Sequence, residues 1–246
     1  MRRLISNPWF AGFICLGIIV FFHSPHLWLF THVRSGSFEW VRAISYLQQC
    51  ESPFSENIEP AMRWRFFPQV IVWLMGGNHV VALLFPWLGA WFFLTYINHL
   101  AKSHGHDLRT AMAMTLTLGA TAPVLTSTGW LGMNDAWVAL GLSYLAFGRR
   151  STWLVLVCVI CPFIDERFVF GIPSVLVLRN LDTLLENRRK GMRQIIQQSL
   201  YAIIPFFLVR TAGHFMAPLN RDQSHFFWNN ILNSQAYLWF SPLGRR

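Results

Sequence analysis

Long apolar runs separated by short polar segments dominate this chain. The runs cover residues 9–30, 79–100, 110–128, 135–148, 152–164, 168–178 and 195–215. A helix that crosses a bilayer needs roughly 20 predominantly apolar residues, and a soluble fold of this length would not hide so many apolar residues in succession. The pattern therefore predicts an all-α protein, a polytopic transmembrane helix bundle with about seven spans in a single integral membrane domain, residues 1–246.

The polar segment over residues 31–65 predicts a large loop on the outer side of the membrane. Apolar residues recur within it near helical spacing, at Phe38, Trp40, Val41, Ile44 and Leu47. This spacing predicts a short amphipathic helix lying on the membrane surface. The following apolar run, residues 66–75, is too short to cross a bilayer and ends at Gly76-Gly77, so we expect a half-span or a tilted helix there.

The distribution of charge predicts an orientation. Only 13% of the residues are charged, about half of the proportion in soluble domains, and the net charge is +9. With the N-terminus in the cytoplasm, eleven basic and three acidic residues fall on the cytoplasmic side, and nine basic and eight acidic residues fall on the outer side. The positive-inside rule favours this topology. The two short runs over residues 152–164 and 168–178 fit either two spans or one re-entrant unit.

The sequence does not indicate a metal site, a cofactor or a nucleic-acid partner. Cys158 and Cys161 have the spacing of a zinc-finger pair, but no second pair follows and their surroundings are apolar, which favours packing. His104 and His106 beside Asp107 lie in a short loop without a second ligand cluster. We therefore expect no metal and no cofactor. We also expect no nucleic-acid partner, because no soluble domain presents the basic loops.

Ionisable residues gather on the predicted outer side. The triplet Asp165-Glu166-Arg167 separates two apolar runs, and Asp135 opens another. Ionisable residues at membrane depth cost about 2.5–3.5 kcal/mol each on insertion scales, so they pair or line a polar cavity. For the triplet, the alternative to a functional role is an internal arginine–carboxylate pair that holds two helices together. For Asp135, the alternative is a helix N-cap.

Two arginines, Arg63 and Arg65, lie at the outer boundary just before Phe66-Phe67-Pro68. Their position opposes the positive-inside tendency and indicates an anionic partner. The planar guanidinium suits phosphate because it donates two parallel hydrogen bonds. The alternative is a pair of snorkelling interfacial side chains.

Three segments together resemble a known family. They are Arg63-Trp-Arg-Phe-Phe-Pro68, Gly129-Trp-Leu-Gly-Met-Asn-Asp135, and Ile164-Asp-Glu-Arg-Phe-Val169 followed by Pro173. In order and spacing they resemble the bacterial multi-pass membrane proteins related to GT-C glycosyltransferases, over roughly residues 1–215. The resemblance implies an enzyme of the bacterial inner membrane that transfers sugar from a polyprenyl-phosphate donor at the periplasmic face. Because such enzymes usually have more crossings than seven, it also implies a short or truncated member.

The residues and the resemblance together give a candidate site. The catalytic candidates are Glu39, Asp135, Asp165 and Glu166, and the substrate-binding candidates are Arg63, Arg65 and Arg167. A carboxylate would act as general base on an acceptor hydroxyl, while arginines would hold the lipid phosphate and stabilise the leaving group. The resemblance implies a base in the first outer loop, where Glu39 is the nearest candidate.

Two other functions fit the same pattern, and both share membrane lipids as partners. In a transporter or flippase component for lipid-linked sugars, the same arginines would bind a headgroup without chemistry, although no internal repeat is seen. In a non-catalytic membrane scaffold, the outer charges would only pair helices.

Overall fold

A computed structural model of the chain describes residues 6–23, 38–55 and 64–216, although the side chains of residues 38–41 and 212–216 are left out. Its helices are α1 (Pro8–His23), α2 (Phe38–Glu51), α3 (Phe67–Leu74), α4 (His79–Ser103), α5 (Leu108–Gly119), α6 (Ala122–Gly129), α7 (Asp135–Phe147), α8 (Ser151–Ile160), α9 (Arg167–Arg179), α10 (Leu181–Glu186) and α11 (Arg188–Met216). A 3₁₀ turn, Cys161–Phe163, follows α8. The described ranges hold no strand, so the all-α prediction is confirmed for them.

One helix in these ranges, α4, is long and apolar enough to cross a membrane by length and composition. Three further apolar helices, α1, α7 and the segment Ser151–Phe163, are shorter. A single such helix is weak evidence, because a buried helix of a soluble protein passes the same test. The arrangement of seven spans therefore stays a prediction.

The predicted span over residues 110–128 is divided in the structure. Helix α5 ends at Gly119, and Thr121 adopts an extended conformation before α6 begins. Pro123 lies in the first turn of α6, where its missing N–H leaves no hydrogen bond unmade. The apolar run is continuous, but this proline starts a new helix instead of prolonging the old one.

The predicted basic loop over residues 179–193 is also largely helical. It contains α10 and the start of α11, which begins well before the predicted residue 195. The side chain of Asn187 accepts a hydrogen bond from the backbone N–H of Lys190 at 3.1 Å, as an N-cap does. Arginine and lysine are good helix formers, so the charged sequence continues the helix into the apolar run.

The chain forms two compact units, residues 1–205 and residues 206–246. Within the first unit, α4 packs along α1 and α5 and contacts α7. One apolar cluster joins α1, α4 and α6 through Cys15, Leu94 and Val124. A second contains Cys158, Cys161, Phe168 and Ile172 and joins α7, α8 and α9, so both cysteines pack among apolar side chains.

Helices α7 and α9 run parallel. At their starts, Arg167 contacts Asp135. At their ends, Arg179 Nη1 donates to the carbonyls of Leu145 and Gly148 at 2.7 and 2.9 Å, where a cation suits the negative end of the helix dipole. The 13 residues of each helix separate these two ends by about 20 Å.

A proline inside α4 explains how α2 is attached. Pro86 has no N–H, so the carbonyl of Ala82 lacks its intrahelical partner. The hydroxyl of Tyr46, a fully buried side chain of α2, donates to that carbonyl at 3.2 Å. Gly132 also lies against Tyr46, since a Cβ at Gly132 would be only 2.9 Å from the Tyr46 Cβ. The φ of Gly132, +80°, independently favours glycine at this position. Tyr46 thus fixes α2 to both α4 and the loop that leads into α7.

Candidate functional site

Five of the seven candidate residues have described side chains, and all five meet in one network of ion pairs. We call this network the Asp165 cluster; it consists of Arg65, Asp135, Asp165, Glu166 and Arg167. Arg65 precedes α3, Asp135 is the first residue of α7, Asp165 and Glu166 follow the 3₁₀ turn, and Arg167 is the first residue of α9. Folding therefore brings together residues separated by about a hundred positions.

Asp165 lies at the centre of the cluster and its side chain is only 5% exposed. Arg65 Nη1 lies 3.1 Å from its Oδ2, and Arg167 Nη2 lies 2.8 Å from the same oxygen. The other oxygen, Oδ1, accepts from Arg167 Nε at 3.0 Å and from the Arg167 backbone N–H at 2.9 Å. Each carboxylate oxygen of Asp165 thus has two donors.

Opposing effects set the pKa of Asp165. Burial alone would raise this pKa, but the hydrogen bonds from Arg167 and the charges of Arg65 and Arg167 hold it below its ordinary value. The carboxylate is therefore ionised at neutral pH and is a weak base. General-base catalysis favours a carboxylate with a higher pKa, so Asp165 is better suited to orienting the two arginines than to accepting a proton.

Asp135 connects the cluster to α6. Its Oδ1 accepts a short hydrogen bond from Arg167 Nη2, and its Oδ2 accepts from Thr126 Oγ1 at 2.9 Å. The alternative prediction of an N-cap is wrong, because Asp135 lies inside the first turn of α7 and makes no capping hydrogen bond. The hydroxyl of Ser127 instead accepts a hydrogen bond from a backbone N–H of this first turn, that of Ala136, at 2.8 Å.

Glu166 and Arg65 form the loosest pair of the cluster. Arg65 Nη2 lies 3.7 Å from Glu166 Oε1, the longest of its ion-pair distances. The side chain of Glu166 is 30% exposed, more than those of Asp135 and Asp165 at 16% and 5%. Arg65 Nε is buried and makes no hydrogen bond among the described residues. Glu166 is thus the most exposed carboxylate of the cluster, while Arg167, at 54%, is its most exposed side chain.

A third arginine was missed at the sequence level. Arg42 is half-buried on α2, four residues before Tyr46 and on the same helical face. Burial lowers the pKa of Arg42, the charges of Arg65 and Arg167 lower it further, and those of Asp165 and Asp135 raise it. These couplings place Arg42 within electrostatic range of the cluster. The available signal was a basic residue one helical turn before Tyr46, on a face that also carries the buried Gln49.

The remaining candidates lie outside what is described. Glu39 belongs to α2, but its side chain is not among those described, and Arg63 lies in the range that is left out. Among the described residues, no group of three or more histidine, cysteine, aspartate or glutamate side chains is arranged to hold a metal ion.

Charge balance limits what the cluster can bind. Two arginines face three carboxylates, and Arg42 nearby makes the formal charges equal. An anionic ligand therefore has to replace a carboxylate at an arginine. At Arg65, replacing Glu166 breaks a contact of 3.7 Å, whereas replacing Asp165 breaks one of 3.1 Å and also removes the carboxylate that pairs with Arg167.

Comparison of the chain with protein-family models, with curated proteins and with solved structures gives no match.

Proposed function

We propose that this chain is a GT-C-like membrane glycosyltransferase that binds a polyprenyl-phosphate-linked sugar at the Asp165 cluster, on the outer face of the bacterial inner membrane. One observation carries the proposal. Candidate residues from three separate segments converge, and Arg65 pairs there with the most exposed carboxylate of the cluster, Glu166. A phosphate ligand and a proton acceptor are the two requirements of the reaction.

Exposed apolar side chains support the membrane part of the proposal. On α1, Phe21 and Phe22 are 82% and 71% exposed, and on α8 Val155 is 62% exposed. Soluble monomers rarely expose contiguous apolar patches beyond a few hundred Å². Helix α8 is shorter than a full membrane span. The turn that follows it, Cys161–Phe163, continues its apolar segment.

The contacts between distant residues support the predicted topology. Lys102 Nζ donates to the carbonyl of Ser6 at 3.1 Å, which joins two positions predicted to be cytoplasmic. Arg179 and Gly148, also predicted to be cytoplasmic, are joined in the same way. All members of the Asp165 cluster are predicted to be on the outer side.

In the proposed mechanism, the donor phosphate takes the place of Glu166 at Arg65, while Asp165 keeps its hold on both arginines. Glu166 then acts as the general base. It accepts the proton of the acceptor hydroxyl as the acceptor oxygen bonds to the anomeric carbon of the sugar. The bond from that carbon to the phosphate oxygen breaks, and polyprenyl phosphate leaves with the bonding electron pair and with its charge stabilised by Arg65.

The test is turnover of a polyprenyl-phosphate-hexose carrying a labelled sugar, with membranes from cells that lack this chain as the source of acceptor. We expect purified wild-type protein to release polyprenyl phosphate, and Glu166→Gln to do so about 10²–10⁴-fold more slowly. Glu186→Gln, which changes an exposed glutamate on α10, is the matched control and should turn over like wild type. Turnover by Glu166→Gln at the wild-type rate would contradict the assignment of the base.

A second candidate function, a non-catalytic membrane scaffold, is favoured by the saturation of Asp165. Three of its four donors belong to Arg167 at the start of α9, and the fourth belongs to Arg65, so that Asp165 joins the segment before α3 to α9. A scaffold predicts that Glu166→Gln leaves every property of the protein unchanged. The transferase predicts a folded protein that has lost turnover.

A further inference from the structure

An open surface along one side of α11 combines cationic with apolar side chains. It includes three arginines at one end and three apolar residues that follow, namely Arg188, Arg189, Arg193, Met192, Ile196 and Leu200. The spacing of three and four residues puts them on one side of the helix. We call this surface the arginine face.

The arginines of this face carry uncompensated charge. All three side chains are exposed. No ion pair joins them to a carboxylate anywhere in residues 6–23, 38–55 and 64–216. An anion from outside the chain would therefore bind them without displacing an internal partner, unlike an anion at the Asp165 cluster.

The apolar part of the arginine face indicates what the anion is attached to. Met192, Ile196 and Leu200 are 43%, 54% and 58% exposed, and they continue the stripe away from the arginines. From Met192 to Leu200 the helix rises about 12 Å. Half of the hydrocarbon core of a bilayer is about 15 Å thick. With a headgroup at the arginines, an acyl chain would follow the apolar stripe through most of one leaflet.

We infer that the arginine face binds an anionic phospholipid, with the headgroup phosphate on Arg189 and Arg193 and an acyl chain along Ile196 and Leu200. The inference rests on the membrane location in the proposed function but not on the transfer reaction. Free phosphate would satisfy the arginines alone, whereas only a lipid also covers the apolar stripe.

The experiment is native mass spectrometry of the full chain in detergent, titrated with phosphatidylglycerol or phosphatidylcholine. We expect wild-type protein to bind phosphatidylglycerol more tightly. The variant Arg189→Gln/Arg193→Gln should bind it roughly 25-fold more weakly, since each arginine near an anionic surface contributes about 1 kcal/mol. Arg149→Gln/Arg150→Gln removes the same charge from exposed arginines outside the arginine face and should bind like wild type.

A third variant, Ile196→Ser/Leu200→Ser, separates a lipid from a free anion. It should weaken binding of phosphatidylglycerol and leave binding of glycerol phosphate unchanged. Equal affinity of the wild-type protein for the two lipids would overturn the inference without any variant. Equal weakening by the two arginine pairs would overturn it as well, because net charge alone would then explain the binding. None of these readouts depends on turnover, so they test the lipid site independently of the transfer reaction.

Discussion

At the start of α9, Arg167 contacts two carboxylates, whereas near the start of α11, Arg188, Arg189 and Arg193 contact none in the described part of the chain. The first place opens α9, and the second follows the end of α9 along the chain, after α10. Both are rich in arginine, and both adjoin apolar helices. They differ in what neutralises the charge.

This difference separates two uses of arginine. In the Asp165 cluster the side chains of Asp165 and Arg65 are only 5% and 17% exposed, so each depends on its partner and the loss of one leaves a buried charge uncompensated. On the arginine face water solvates the charges, so removal of one costs the fold little. A ligand at the cluster must exchange with a carboxylate, while a ligand at the arginine face adds to what is there.

The largest effect is expected from Asp165→Ala. This change leaves Arg65 and Arg167 without their shared carboxylate, and removing one partner of a buried pair costs about 3–5 kcal/mol. The free energy of unfolding in detergent measures it. Arg189→Gln on the arginine face is the control and should change stability by less than about 0.5 kcal/mol. Similar losses in both variants would remove the distinction between the two places.

A smaller loss is expected from Tyr46→Phe. The buried carbonyl of Ala82 would lose its donor, which costs about 1–3 kcal/mol, and α2 with Arg42 would be held less firmly beside the cluster. Tyr201→Phe changes a tyrosine that is 67% exposed and should have no measurable effect. The thermal unfolding midpoints of the two variants, compared with wild type, test this. Equal midpoints would show that the carbonyl does not depend on Tyr46.

The pH dependence of stability gives the smallest effect. Since the pKa of Asp165 is lowered in the folded protein, its contribution is fully present above its ordinary value of 3.8 and is lost as pH falls through the lower folded value. Unfolding midpoints measured between about pH 2.5 and 6 should therefore fall at the acidic end. Asp165→Asn should show less of this fall, whereas Arg189→Gln should show all of it. An identical profile for Asp165→Asn would mean that other carboxylates cause the loss.

Local patterns predicted much of the helical structure. The apolar spacing of residues 38–47 predicts helix α2. Helix α3 ends just before Gly76 and Gly77, which adopt φ of +92° and +66°. The break at Thr121 and the helical start of α11 were missed, because a continuous apolar run hides a helix boundary and a basic run suggests a loop. Boundaries depend on single residues such as Pro123 and Asn187.

The candidate site was predictable as a group but not in its detail. Topology alone placed Arg65, Asp135 and Asp165 on the same side. Their individual environments depend on distances between segments that no local pattern encodes, so the burial of Asp165 and the exposure of Glu166 required the structure. Arg42 was missed for the same reason, because its register with Tyr46 matters only once Tyr46 is known to be bound to α4.

The most direct test of this account is a crossed binding measurement by native mass spectrometry on the full chain. Two ligands, polyprenyl phosphate and phosphatidylglycerol, would each be titrated against wild type, Arg65→Gln and Arg189→Gln/Arg193→Gln. We expect Arg65→Gln to lose binding of polyprenyl phosphate alone, and the double variant to bind only phosphatidylglycerol more weakly. Retention of polyprenyl phosphate by folded Arg65→Gln, or parallel loss of both ligands in either variant, would contradict it.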